Sequence, residues 1–66
     1  MNIMDNGYVV RFERKDGKPS EEYFYNAKEE AKIHFDMFAN DDSGLYTRIE
    51  VFCYADPSVK MLSKSL

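Results

Sequence analysis

The single histidine of this chain, His34, lies in the stretch EEAKIHFDMFANDDSG, residues 29–44, among several acids. Histidine and carboxylates are the raw material of metal centres and of acid–base catalysis. Glu30 stands one helical turn before His34, and on a helix such residues meet on one face. The pair has the geometry of two metal ligands, but a metal site needs further ligands. The sequence holds no second histidine and no cysteine cluster. His34 is therefore expected to be half-buried, hydrogen-bonded to Glu30 or to a backbone carbonyl, with no metal and no cofactor. Asp36 turns to the opposite side of the helix and cannot join it. Asn40, Asp42 and Gly44 lack the acid order and the distal Glu of a calcium loop.

No other chemistry assembles. Cys53 is the only cysteine, so no disulfide can form within the chain. With apolar neighbours on an inward position, it reads as an inert core thiol. The isolated glycines form no phosphate-binding loop, and no serine sits in a nucleophile elbow. No nucleophile–base–orienter set can be built, which argues against an enzyme.

The elements that would position these residues are legible. The chain of 66 residues allows one small domain, residues 1–66, of marginal stability. GYVVRFER, residues 7–14, alternates and is rich in β-branched and aromatic residues, which predicts a strand. KDGKPS is a turn, and EEYFYN the returning strand of a hairpin. Asn26 is a helix N-cap candidate, with Glu29 completing a capping box. Ala27, Ala31, His34, Phe35 and Phe38 then form the inward stripe. DDSG ends the helix, with Gly44 as its left-handed exit. LYTRIEVFCYA, residues 45–55, is the clearest strand. VKMLSKSL, after the DPS turn, fits a strand or a short helix, and the strand is preferred because it would cover an exposed edge. The fold class is α+β, ββαβ(β). One helix packs on one face of a three- or four-stranded, antiparallel-dominated sheet. A right-handed crossover places the third strand beside the first and parallel to the second.

One helix leaves the other sheet face open. With Ile49, Val51 and Cys53 inward, Tyr46, Arg48, Glu50, Phe52 and Tyr54 face outward. With Phe24 inward, Tyr23 and Tyr25 join them. The expected interface is thus Tyr23, Tyr25, Tyr46, Arg48, Phe52 and Tyr54, an aromatic patch with Arg48 as polar anchor. The expected function is a non-enzymatic protein-interaction module, self-associating as a homodimer because a small chain gains stability that way. One alternative is an inhibitor presenting Glu29, Asp36, Asp41 and Asp42 to a basic groove as a nucleic-acid mimic. Another is a nucleotide-type ligand held between subunits by Arg11 and Arg48. Direct nucleic-acid binding is disfavoured by the net charge of −3 and by the matching of arginine with glutamate. No long apolar span and no secretory signal are read, and with the lone cysteine this predicts a cytoplasmic protein.

The stretch YNAKEEAKIHFDMFANDDSGLYTRIEVF, residues 25–52, resembles very small uncharacterised proteins of gut Firmicutes and their phages. The shared features are the EEA helix start, the HF…F helix centre, the DDS stop and the LYTRIEV strand. The resemblance implies a phage or mobile-element setting and no particular activity.

Overall fold

The computed structural model describes residues 7–66. Four strands and one helix follow one another: β1 (Tyr8–Arg14), β2 (Glu21–Tyr25), α1 (Lys28–Phe38), β3 (Tyr46–Cys53) and β4 (Lys60–Ser65). The strands form one open sheet in the order β2-β1-β3-β4, and every neighbouring pair is antiparallel. The fold is α+β. Because β2 and β3 each oppose β1, they run parallel to each other, and α1 carries the chain over β1. The C-terminal stretch is a strand. Its ladder with β3 continues into Leu66, whose N–H donates to the Thr47 carbonyl at 2.9 Å.

The β1–β2 turn is built by Asp16 and Gly17. The Asp16 carboxylate accepts the Lys18 N–H at 3.1 Å, an Asx-type turn. Gly17 takes φ 81°, where a side chain would cost energy.

Helix α1 begins later than Asn26. Its N-cap is Ala27, and no side chain caps it. The expected Asn26–Glu29 capping box is therefore not formed. Asn26 lies one residue outside the cap, too early for its oxygen to reach the first free N–H groups. Glu29 and Glu30 still occupy the first turn, where acids suit the positive end of the helix dipole. The helix ends at Phe38 with Ala39 as C-cap, still in helical conformation. Gly44 does adopt φ 79°, but it turns the chain into β3 and does not cap α1. Between them, the Asp41 carboxylate accepts the Ser43 hydroxyl at 2.6 Å and its N–H at 3.3 Å. Asp41, after the helix, is thus a turn former.

The core lies between the sheet and α1. Val10 and Phe12 of β1, Ile49 and Val51 of β3, and Ala31 and Phe35 of α1 are buried together. Each large apolar side chain so buried contributes about 1.5–3 kcal/mol. Tyr8, Tyr25, Phe38, Tyr46, Leu62 and Leu66 close its margins.

Two bulges set which residues face the helix. Glu13 opposes Arg48, but Arg14 opposes Tyr46, so Thr47 is an extra residue in β3. Val51 opposes Leu62, but Phe52 opposes Lys60, so Met61 is extra in β4. A bulge breaks the alternation of facing, because two residues take the place of one. Beyond Thr47 the facing is reversed, so Tyr46 turns toward the helix side, and Leu45 and Thr47 are exposed and not core.

Candidate functional site

Phe12 is the hub of the helix-side face. Around it stand Tyr23, His34, Phe38 and Tyr46, with ring centroids 5.1–5.7 Å away. The contacts with Tyr23 and Phe38 are edge-to-face, the arrangement aromatic quadrupoles favour. His34 sits within this cluster, as the apolar stripe of α1 requires. Its Nδ1 lies 2.8 Å from the Tyr25 hydroxyl, and that bond ties α1 to β2. This Nδ1 partner is neither of those expected, Glu30 or a backbone carbonyl. Burial holds the His34 imidazole below its ordinary pKa. Among the described residues no group of three metal-ligating side chains comes together.

At the hairpin end of this face, Glu21 gathers three donors. The Tyr23 and Tyr46 hydroxyls donate to its Oε1 at 3.0 and 3.1 Å, and Arg14 Nη1 donates to its Oε2 at 2.5 Å. Arg14 also holds Asp16, with Nη2 2.7 Å from Oδ2. The hydrogen bond from Arg14 brings the Asp16 carboxyl down to about 2, and Arg14 together with the tyrosines brings Glu21 down. Conversely, Glu21 raises the Tyr23 hydroxyl, and burial followed by Glu21 raises that of Tyr46. Every member of this cluster is paired, so it fixes the end of the sheet and leaves no activated nucleophile.

These placements correct the expected interface. Tyr23, Tyr25 and Tyr46 do not lie on the open face. Tyr23 opposes Val10 and Tyr25 opposes Tyr8, so both share the helix side, and Phe24, opposite Val9, points the other way. Tyr46 was reversed by the Thr47 bulge. Arg48, Phe52 and Tyr54 do belong to the open side. There Arg48 pairs with Glu13 at 3.7 Å and donates to Ser63 at 3.0 Å. Phe52 is buried, with the Arg11 guanidinium 5.0 Å and the Lys60 ammonium 4.6 Å from its ring centre. Glu50, only 7% exposed, lies 3.9 Å from Arg11 and 3.8 Å from Lys60. Arg11 also binds Glu22 at 3.2 Å. The open face is therefore a matched charge lattice over a small apolar floor, with Arg11 and Arg48 each engaged by a carboxylate.

The four acids are not gathered either. Glu29 opens α1, whereas Asp41 and Asp42 follow its end, roughly 15 Å away along the helix at 1.5 Å per residue. Asp36 is paired with Lys32 at 3.0 Å, and Asp41 is engaged by Ser43.

Compared with known proteins, the chain matches no family model, no curated protein and no solved structure. Its own surface is the remaining guide. Five large exposed apolar or aromatic side chains collect around the outer edge of β2. Ile33 and Met37, 61% and 71% exposed, project from the flank of α1 one turn apart. With Tyr25, Glu30, His34 and Phe38 they line a groove of about 420 Å³. Tyr23 and Phe24 come from β2 itself, and Phe24 packs edge-on against Tyr54 at 5.8 Å. Phe24, Tyr54 and Pro57, with the Arg11–Glu22 pair, then wall a hollow of about 490 Å³ on the open side. The band thus wraps this edge, unpaired among the described residues, from helix to open face. Ile33, Met37 and Phe24 were missed as site residues. Ile33 and Met37 carried a signal, as an apolar pair at helical spacing outside the Ala31–Phe35–Phe38 stripe.

Proposed function

We propose that this chain is a non-enzymatic protein-interaction module that binds through the apolar band around β2. The observation that supports it is the concentration of exposed apolar side chains at a sheet edge that is unpaired among the described residues. An unpaired strand offers a row of backbone donors and acceptors, and strand addition to such an edge is a common mode of protein recognition. The opposite edge is unlike it. β4 reads KMLSKS, carries Lys60 and Lys64, and is bulged at Met61, the features that discourage edge pairing. A reducing, cytoplasmic setting is part of this proposal, in keeping with the lone Cys53. Among the described residues no helix is long and apolar enough to cross a membrane.

Site-specific photocrosslinking in the native host tests the assignment. A benzophenone side chain at Met37 should yield discrete protein adducts, and the same group at Lys64 on β4 should yield few. Equal or reversed yields would sink it.

A further inference from the structure

We infer that the occupant of the β2 edge is a second copy of this chain, bound by antiparallel β2–β2 pairing about a two-fold axis at Tyr23. This rests on the reading of the β2 band as an interaction surface. Symmetry and facing narrow the register. Residues opposed in an antiparallel ladder point to the same face. A two-fold axis normal to the sheet puts both helices on one side. Helix-side residues Glu21, Tyr23 and Tyr25 must then oppose helix-side residues, so one residue must oppose its own copy.

Three centres pair three or more residues of β2. Centring on Glu22 opposes two like charges, which destabilises a pair. Centring on Phe24 leaves Glu21 outside the ladder. Centring on Tyr23 pairs all five residues of β2, with Glu21 opposite the partner's Tyr25 and Glu22 opposite the partner's Phe24. No like charges then face each other. The acidic end of β2 is already neutralised from within its own subunit, Glu21 by Arg14 and Glu22 by Arg11. The edge therefore brings no uncompensated charge to its own copy. The two α1 helices would run antiparallel on either side of the seam, with Ile33 and Met37 of each on the flank turned toward the other. Among the described residues, two four-stranded sheets would become one of eight, with the lysine-bearing β4 strands at its edges.

Sedimentation velocity from about 1 μM to about 1 mM, the span of weak to moderate association, should show a concentration-dependent dimer. The Ile33→Lys, Met37→Lys double variant alters exposed positions only, so it should stay folded and dimerise at least about tenfold more weakly. Register is read by disulfide trapping in a Cys53→Ser background. Opposed residues have Cα atoms about 4.5–5.5 Å apart, within disulfide reach. Tyr23→Cys should therefore trap the dimer, and Phe24→Cys should not. Trapping through Phe24→Cys alone would overturn the register. A monomer at every concentration would overturn the second-copy inference, and the band would survive as a surface for a different protein if Met37 still gave adducts in the host.

Discussion

The Tyr25 hydroxyl lies 2.8 Å from His34 Nδ1, joining the edge strand to the helix that flanks it. His34 is also packed edge-on against Tyr23, Tyr25 and Phe38. This bond makes the histidine part of the scaffold that holds the β2 edge in place.

Because burial lowers the His34 pKa, the folded state favours the neutral ring. The unfolded chain binds the proton more readily, near its ordinary value of about 6.5. The resulting contribution is fully present above about pH 6.5 and is lost as pH falls toward the folded value. Urea unfolding at pH 7.5 and pH 5 should show this loss, and His34→Phe should largely abolish the difference.

A second acid transition belongs to Arg14. Asp16 and Glu21 have depressed pKa values, so their contribution is present above the ordinary carboxylate range. It is lost as pH falls through their folded values, about 2 for Asp16. Arg14→Met should flatten the melting temperature between pH 5 and pH 2.5 and leave the histidine step unchanged. An unaltered acid limb in that variant would contradict the assignment.

Phe12 touches four rings and is 2% exposed. Phe12→Ala should cost about 3–5 kcal/mol, a large share of the stability of a chain this small. Circular dichroism should show it mostly unfolded at 25 °C, whereas Phe12→Leu should stay folded with a lower melting temperature.

Glu50 is buried between Arg11 and Lys60. Removing one cation leaves the carboxylate less compensated, and removing the carboxylate does not. Arg11→Met should therefore cost about 1–3 kcal/mol, as for a weakened buried polar group. Glu50→Leu should be nearly neutral. Chemical denaturation of the single and double variants checks the order.

Gly17 sits at φ 81° with open space around its Cα. Gly17→Ala should cost about 1 kcal/mol through backbone conformation alone, and Gly17→Asn less, since asparagine tolerates this region. Thermal melts of the two variants compare directly.

Much of the architecture was legible. The alternation in Tyr8–Arg14, the Asp16-Gly17 turn and the apolar stripe of α1 report local preferences, and those preferences survive in the folded chain. The crossover followed too, because strand twist leaves few ways to return over a sheet. The helix start was read too early. Asn26 has the chemistry of a cap, but the chain leaving β2 is still extended through Ala27.

The candidate site was much less legible. Strand period by itself determined that Tyr23 and Tyr25 share one face, and that Arg48, Phe52 and Tyr54 share another. It could not say which face of β2 meets the helix, because Tyr23, Phe24 and Tyr25 are all aromatic and fit either side. Nor could it reveal the extra residue at Thr47, which carries no distinctive composition. Only the tertiary structure decided these points. Pairing with β1 sets the phase of β2, and the Thr47 bulge reverses Tyr46. Facing is a property of the whole ladder, so one inserted residue redirects side chains whose local sequence is unchanged.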